Sequence, residues 1–177
     1  MNNMFKNVNY NVSFFKSYIV ALKNKQVVNN RDKTRKIIQE STNELASYFQ
    51  QIHSDIDDIF DCLINHLQKN PTIFGSAFAF SPEIYSSCPF VLRGINRFES
   101  RDIAKEFQYN NTVWYEVPVK QRKAIWSVPY FDIGKAGEDI LLTTYSIPVF
   151  NEDSRLIGVL ISDILLAKLE DIQKNNR

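Results

Sequence analysis

The chain has 177 residues, of which 44% are hydrophobic and 23% are charged, and its formal net charge is +1. This length suffices for one domain with its own core, and the composition is that of a globular chain rather than a disordered or membrane-embedded one. The small net charge argues against a nucleic-acid-binding protein, which would normally carry a marked basic excess.

Charge is distributed unevenly along the first third of the chain. Residues 1–36 contain eight Lys or Arg and a single acid, Asp32, whereas residues 37–66 contain six acids and no Lys or Arg. We predict a basic arm or short helix over residues 1–31. The asymmetry is typical of a solvated arm followed by a solvated helix face, and a segment lying near an anionic membrane surface is the alternative.

Residues 32–69 have the pattern of one long amphipathic helix, which Asn70 and Pro71 end because proline cannot continue a helix. At 1.5 Å per residue this helix would be roughly 50 Å long, so part of it could serve as a stalk or a dimer interface. An apolar stripe of this kind usually belongs to the core of its own domain. The stripe consists of residues at steps of three and four: Leu45, Phe49, Ile52, Ile56, Ile59, Leu63 and Leu67.

Strand patterns begin after this helix. Residues 74–81 alternate large rings with Gly and Ala, which predicts a strand whose small-residue face is closely packed. Residues 82–110 form a long connection with a short strand at 90–93, and connections of that length are often functional. A helical turn is predicted at 112–117, before Pro118, and another strand at 125–128.

The last predicted elements are a hairpin and an exit helix. Residues 140–150 and 156–161 are the strongest strand candidates, and the polar turn at 151–154 would join them into an antiparallel hairpin. A short helix leaving the domain is predicted around three leucines, and residues 170–177 would be a polar tail. A long helix followed by an antiparallel sheet is an α+β layout. The leucines are Leu165, Leu166 and Leu169.

No constellation of catalytic residues is recognisable. Cys62 and Cys88 neither form a disulfide framework nor match a metal motif, so we expect free thiols. His53 and His66 would lie at least two turns apart on the predicted helix and could not share a metal ion. Phosphate-binding loops and hydrolase motifs are also missing from the sequence. We therefore expect no cofactor, no metal and no enzymatic activity in this chain.

Five short motifs resemble a known family of sensor domains. In chain order they read N-P-T-I-F-G, W-Y-x-x-P, W-S-V-P-Y-F-D, T-Y-S-I-P-V-F and I-G-V-L-I-S-D. Together they resemble Cache domains, also called PDC or extracytoplasmic PAS-like domains, over roughly residues 32–169. The resemblance implies a single α+β domain in which a long N-terminal helix packs on a five- to six-stranded antiparallel sheet. The ligand would lie between this sheet and an irregular segment, within residues 72–164.

The resemblance also implies a role in bacterial signal transduction. Similar domains belong to histidine kinases, PP2C-type phosphatases, cyclic-dinucleotide enzymes and chemoreceptors, where they bind a small molecule outside the membrane and relay a helix shift. No apolar run here approaches the roughly 20 residues needed to cross a bilayer. We therefore expect a periplasmic or extracellular ectodomain of a membrane-anchored parent, or a cytoplasmic protein if the chain is complete. A ligand-free module that dimerises through the long helix is the alternative function.

The family's ligand positions map onto individual residues. Amino-acid-sensing members carry a carboxylate-gripping Arg just before the Trp, but Thr112 and Val113 precede Trp114 here. The expected ligand is therefore an amine or a small carboxylate. Asp163 matches the aspartate that receives the ligand's amine, and an N-cap of the exit helix is its alternative role. Arg93 is the remaining candidate for holding an anion, with a surface ion pair as its alternative.

Aromatic side chains complete the predicted site. Rings bury area at little conformational cost and can face a cation. Asp132 stands two residues after Tyr130, where it would contact the ligand or make a turn with Gly134. The predicted ligand-binding residues are Arg93, Trp114, Tyr115, Trp126, Tyr130, Asp132, Tyr145 and Asp163.

Overall fold

The computed structural model describes residues 25–51, 56–106, 108–132 and 140–168. The chain divides into two compact units, residues 1–37 and 38–177. In the first unit the described residues, 25–37, are helical. The predictions for residues 1–24, for Gly134 and for the polar tail lie outside the described residues.

Two helices precede the sheet: α1 at Lys25–Gln51 and α2 at Ile56–Lys69. The prediction of one continuous helix over residues 32–69 is wrong. Ser41 Oγ lies 3.3 Å from His66 Nδ1, whereas 25 residues of straight helix would separate them by about 37 Å. The chain therefore reverses between these residues, and α1 and α2 pack side by side. Phe49 of α1 and the α2 residues Ile59, Leu63 and Leu67 all belong to one apolar core, which is why their spacing looks like one stripe.

Seven strands in the described residues form one antiparallel sheet with the order β3-β2-β1-β7-β6-β4. The short strands β4 and β5 pair with different stretches of the same edge of β6, so the sheet is six strands wide. This layout confirms the predicted α+β fold class. The strands are β1 Gly75–Phe80, β2 Pro89–Arg93, β3 Phe98–Asp102, β4 Ile125–Trp126, β5 Tyr130–Asp132, β6 Ile140–Phe150 and β7 Leu156–Lys168.

Strands β6 and β7 form the predicted hairpin. Ser154 adopts a left-handed conformation in the turn, with φ 62°, and the Asn151 N–H donates to the carbonyl oxygen of Arg155. The predicted exit helix does not form up to Lys168, because β7 continues as a strand that pairs with β6 as far as Ile140. The eleven residues of β6 offer backbone partners over this whole length, and a short leucine cluster is compatible with either structure.

The sheet separates two apolar clusters. On one face, Phe78, Val91 and Leu160 pack with helix residues such as Leu63. The opposite face is covered by α3, Val113–Gln121, and by two 3-10 turns at Ile103–Lys105 and Tyr109–Asn111. The helix α3 continues beyond its predicted end at Pro118 and stops after Gln121, where the N–H of Arg122 caps the carbonyl groups of Pro118 and Val119.

The predicted close packing on the small face of β1 is confirmed. A methyl group on Gly75 would lie 3.0 Å from the Phe90 ring. On the other face of the sheet, which carries Phe78 and Phe80, a methyl group on Gly158 of β7 would meet the carbonyl oxygen of Ala79. Cys62 and Cys88 are free thiols, as expected.

Candidate functional site

A cavity of about 80 Å³ lies on the face of the sheet that α3 covers. It brings together four of the eight predicted site residues, which come from α3, β5 and β7. Two further charged residues line it, Arg101 on β3 and Glu106 just after the first 3-10 turn, and apolar walls come from Phe90 and Leu142. The four predicted residues are Trp114, Tyr130, Asp132 and Asp163. Together these side chains form a small chamber with an apolar floor and charges of both signs.

Asp163 lies in the middle of the sheet, with β1 on one side and β6 on the other. Its strand partners are Gly75 and Thr144, and only 4% of its surface is exposed. Because it lies inside β7, its alternative role as the N-cap of an exit helix is wrong. The carboxylate projects to the same face of the sheet as the cavity.

A directed chain of hydrogen bonds leads to this carboxylate. The Thr144 hydroxyl donates to Asp163 Oδ1 at 2.6 Å, and the Tyr130 hydroxyl lies 2.8 Å from Thr144 Oγ1. Thr144 has one proton and gives it to Asp163, so Tyr130 donates to Thr144. One carboxylate oxygen is therefore oriented by the protein, while Oδ2 lies on the side of Gly75, 3.5 Å from where a methyl group would stand.

Burial raises the pKa of Asp163 to about 7, the hydrogen bond from Thr144 opposes this rise, and the negative charge of Asp132 adds to it. Among the residues that the structure describes, no Lys, Arg or His forms an ion pair with Asp163. An ionised carboxylate in such a place is costly unless a cation compensates it. Burial and the nearby Asp163 also raise the pKa of Tyr130, which keeps its hydroxyl a neutral donor.

Arg101 is a charged group of this cavity that sequence reasoning missed. Its guanidinium carbon lies 5.9 Å from the centre of the Phe90 ring, and its Nε lies 3.4 Å from Glu106 Oε1. Arg101 belongs to β3, whose sequence F-E-S-R-D gave no strand signal because it is mostly polar. Its pairing opposite Phe90 was therefore not predictable from periodicity.

Arg93 lies elsewhere, at the end of the helix α2. Its Nη2 donates to the carbonyl oxygen of Leu67 at 2.6 Å, and its guanidinium lies 5.1 Å from the centre of the Phe98 ring. These contacts satisfy carbonyl groups that have no partner within the helix. The structure thus gives Arg93 a helix-capping role, and it does not line the cavity.

The other three predicted residues are aromatic and also lie outside the lining of the cavity. Trp126 and Tyr145 stack with ring centres 5.0 Å apart, on the face of the sheet that packs against the helices. The Tyr145 hydroxyl donates to Asn43 Oδ1 of α1. Tyr115 packs behind Trp114 and against Tyr109 in the core on the cavity side. Sequence spacing identified these rings as a group but could not assign them to a face.

A larger groove of about 300 Å³ lies between α1 and α2, lined by residues that include Glu44, Tyr48 and Lys69. Its most buried ionisable group is His66, whose pKa is lowered to about 4 by burial and by Lys69. Both ring nitrogens of His66 already have partners, Ser162 on one side and Ser41 on the other. The smaller cavity holds the uncompensated charge, so it is the stronger candidate site.

Two further properties concern the described residues alone. None of the described helices is both long enough and apolar enough to cross a membrane. Within the same parts of the chain, no cluster of three or more His, Cys, Asp or Glu side chains is arranged to hold a metal ion.

Residues 59–171 match the family model described as "methyl-accepting chemotaxis protein-like, first PDC sensor domain". A comparison with curated protein sequences found no match. Among solved structures, the extracellular domain of a putative histidine kinase is 27% identical with a TM-score of 0.67, and the match covers 94% of this chain and 65% of that one.

Two similar structures are chemoreceptor domains. The Campylobacter jejuni Tlp3 ligand-binding domain, in complex with L-valine, is 17% identical with a TM-score of 0.63, covering 92% of this chain and 64% of that one. The Pseudomonas aeruginosa PctC domain, in complex with GABA, is 17% identical with a TM-score of 0.60, covering 90% and 63%. The chain thus spans somewhat less than two thirds of these structures. With more than half of its residues matched, the chain belongs to the methyl-accepting chemotaxis protein-like family of first PDC sensor domains, and its general role is that of a sensor domain.

Proposed function

We propose that this domain senses a small molecule that carries a cationic amine, which binds in the cavity beside Asp163. The observation that carries the proposal is the buried carboxylate of Asp163, which has no ion-pair partner among the described residues. A bound ammonium group would compensate this charge, which solvent cannot reach. The empty site is therefore destabilised by the buried carboxylate, and binding of a cation relieves that destabilisation, which makes the site selective for cations. Perturbed carboxylates in cavities are typical of functional sites rather than of ordinary cores.

The surroundings of Asp163 suit an ammonium group. Asp132 lines the same cavity and adds negative charge, and Trp114 and Tyr130 present aromatic rings, which attract cations through their faces. The two chemoreceptor domains described above were solved with L-valine and with GABA, and both of these molecules carry an amine. The cavity is small, so we expect a ligand of only a few heavy atoms near Asp163.

We further propose that ligand binding is relayed through β7 to the helices. Ser162, next to Asp163, projects to the opposite face, where its hydroxyl lies 2.9 Å from Thr42 Oγ1 of α1 and 3.1 Å from His66 Nε2 of α2. A shift of β7 that accompanies binding would therefore change contacts to both helices. A ligand changes this equilibrium only if it binds one arrangement more tightly than the other.

The binding proposal is tested by thermal-shift measurements on the purified domain with amines, amino acids, short carboxylates and sugars. A ligand at 100 times its Kd should stabilise the domain by about 2.7 kcal/mol. The response should disappear in Asp163→Asn and persist in Asp153→Asn, a matched change in the exposed turn between β6 and β7. A response that survives Asp163→Asn would contradict the assignment of the site.

The relay is tested with Ser162→Ala in the intact signalling protein. This change removes the hydroxyl that touches both helices and leaves the cavity side of β7 unchanged. We expect ligand affinity within about twofold of wild type but a weakened output, because coupling between sites acts through contiguous contacts. Equal loss of affinity and output would instead mean that Ser162 supports the binding site.

The intact protein is, in this proposal, a bacterial membrane signalling protein with the domain outside the membrane. Its output domain would be a histidine kinase, a PP2C-type phosphatase, a cyclic-dinucleotide enzyme or a chemoreceptor signalling domain. The extracellular histidine kinase domain of similar structure supports this location. Protease added to intact spheroplasts should cleave the domain, whereas protection until lysis would place it in the cytoplasm.

A ligand-free module that dimerises through the helices has less support. Leu63 and Leu67 of the apolar stripe have no exposed surface, and Phe49 has 3%, so the domain's own core uses them. A dimer would have to use other residues of the helices, such as Tyr48, which is 53% exposed. Association that depends on protein concentration and ignores every ligand would support this alternative.

A further inference from the structure

We propose that His66 makes the contact between β7 and the two helices sensitive to acid: the neutral imidazole holds this contact together, and a second proton on the ring releases it. The contact is a hydrogen-bonded junction on the helix side of the sheet. Its effect on signalling rests on the proposed relay through Ser162, but the junction is tested in the ligand-free protein, so the two can fail separately. The junction consists of Ser41, Thr42, His66, Asn70 and Ser162.

The hydrogen bonds of the junction run in one direction, which fixes the position of the proton on His66. Thr42 Oγ1 donates its single proton to the carbonyl oxygen of Ile38, at 2.6 Å. Ser162 must therefore donate to Thr42, at 2.9 Å. Because the proton of Ser162 is thereby used, its 3.1 Å contact with His66 is a bond that Nε2 donates. The neutral ring thus carries its proton on Nε2, and Nδ1 is an acceptor.

Donor groups face the Nδ1 atom of His66. The Ser41 hydroxyl lies 3.3 Å from Nδ1, and the Asn70 amide nitrogen lies 3.5 Å from it. This amide nitrogen also donates to Ser41 Oγ at 2.7 Å and to the carbonyl oxygen of His66 at 2.8 Å, which orients Asn70 with its N–H groups toward the ring. A second proton would have to bind at Nδ1, where it would meet an N–H group rather than an acceptor.

Burial and nearby charge also oppose a second proton. His66 is 5% exposed, and burial together with the charge of Lys69 lowers its pKa to about 4. Glu44 lines the same groove but is exposed, so solvent screens its charge. The titratable or charged groups around the junction are Glu44 and Tyr48 of α1, Cys62 and Lys69 of α2, Arg93 of β2 and Tyr145 of β6.

The groove between α1 and α2 gives protons from solvent access to the ring. Its volume is about 300 Å³, and Ser41, His66 and Asn70 line it, so it opens on the Nδ1 side of the ring. Nε2 points the other way, to Ser162 of β7. A charged imidazole is stabilised by water far better than by buried donors. Protonation at Nδ1 therefore favours an arrangement in which the ring is hydrated and its bond to β7 is broken.

The size of this effect follows from two pKa values of His66, the ordinary value of 6.5 when the ring is hydrated and about 4 in the closed junction. Well above pH 6.5 the ring is neutral in both arrangements, and acid has no effect. As the pH falls from 6.5 to 4, the open arrangement takes up its proton first, and the closed junction becomes less stable. At pH 4.5 the opening equilibrium should be up to about sixtyfold more favourable than at pH 7.

The tautomer and the titration are measured by NMR of the purified, ligand-free protein with ¹⁵N-labelled histidine. We expect the proton of His66 on Nε2 at pH 7 and its titration near pH 4. The chain has two histidines, and the variant His53→Gln assigns their signals. A proton on Nδ1 at pH 7, or titration of His66 at its ordinary pKa, would overturn the proposal.

Release of the helices is measured by hydrogen exchange of residues 38–51 of α1, corrected for the pH dependence of the exchange chemistry. Between pH 7 and pH 4.5, protection in wild type should fall up to about sixtyfold further than in His66→Gln, whose side-chain amide can donate to Ser162 at both pH values. Titration of Asp163 affects both proteins and cancels in this comparison. Equal changes in the two proteins would overturn the proposal. So would a wild-type loss as large in β1 as in α1, because it would mean global unfolding.

Asn70→Asp tests the sign of the effect. A carboxylate oxygen in place of the amide nitrogen beside Nδ1 would accept a hydrogen bond from the doubly protonated ring, so the pKa of His66 should rise above 6.5 and acid should strengthen the protection of α1. Gln68→Glu adds the same charge at an exposed position of α2 and should leave the titration of His66 unchanged. A pKa of His66 that stays near 4 in Asn70→Asp would overturn the role given to Nδ1. An acid response as expected, with unchanged output in Ser162→Ala, would overturn the relay and keep this inference.

Discussion

Replacing Asp163 with Asn should stabilise the ligand-free domain at alkaline pH. Asparagine has nearly the same shape, and its amide oxygen can accept the hydrogen bond that Thr144 gives to Oδ1. It carries no charge, so it avoids the cost of burying an ionised carboxylate. The ligand-free wild-type domain, with its buried carboxylate, would then be less stable than the ligand-free Asp163→Asn domain.

The magnitude follows from the pKa of Asp163, which burial raises to about 7. An unfolded aspartate has a pKa of about 3.9, and each unit of difference corresponds to 1.36 kcal/mol, so the cost approaches about 4 kcal/mol as an upper bound. Below about pH 4 both states are protonated and no cost arises. Between about pH 4 and pH 7 the unfolded state loses its proton first, and the stability of the wild-type domain falls as the pH rises.

The assay is urea-induced unfolding of wild type, Asp163→Asn and the exposed control Asp153→Asn at pH 4.5 and pH 8. We expect the gain from Asp163→Asn to be up to about 3 kcal/mol larger at pH 8 than at pH 4.5, because at pH 4.5 the unfolded aspartate is already largely ionised. An unsatisfied amide donor would lower stability equally at both pH values, so the difference between them isolates the charge. Equal effects at both values would refute the reasoning and show that the carboxylate is compensated when the site is empty.

Three further predictions concern the same site and its supports. The affinity for an amine ligand, measured by calorimetry, should weaken below about pH 7 by up to about tenfold per pH unit, because protonated Asp163 no longer attracts a cation. An affinity that is constant from pH 5.5 to pH 8 would contradict this. Gly158→Ala should destabilise the domain by about 1–3 kcal/mol in urea unfolding, since its methyl group would meet the backbone of Ala79. Gly75→Ala should mainly weaken ligand binding, because the neighbouring Phe90 ring can move aside. A larger loss of stability from Gly75→Ala than from Gly158→Ala would contradict this prediction. Arg93→Gln should lower the free energy of unfolding by about 1.5–3 kcal/mol, because the hydrogen bonds to the end of α2 are lost. Ligand affinity should stay unchanged, and a loss of affinity would mean that Arg93 contributes to the binding site.

The sequence predicted those parts of the fold whose signals are local. The polar turn between β6 and β7 and the alternation of rings and small residues in β1 both depend on neighbouring residues. The prediction of one long helix was wrong because Phe49 of α1 and Leu63 of α2 face the same core from two separate helices, so their spacing still fits one helical stripe. The exit helix failed because pairing with the long strand β6, a distant contact, decides the conformation of residues 165–168.

The candidate site was predictable only in part for a similar reason. Motif resemblance located Trp114, Tyr130, Asp132 and Asp163, which line the cavity. It could not locate Arg101, because that residue enters the cavity through the register of β3 on β2 and belongs to none of the motifs. Burial, which sets the charge state of Asp163, likewise depends on α3 and on strands distant in the chain.

The pairing of β7 on both of its edges restricts how this strand can move. A slide by one residue would turn Asp163 away from the cavity and bring Ser162 into it, because side chains alternate along a strand. It would also break the ladders to β1 and β6 together. Any displacement of the strand's far end at Lys168 must therefore take the sheet with it as one body. A piston-like motion of β7 alone would break both ladders, whereas a tilt of the whole sheet against the helices would leave them intact.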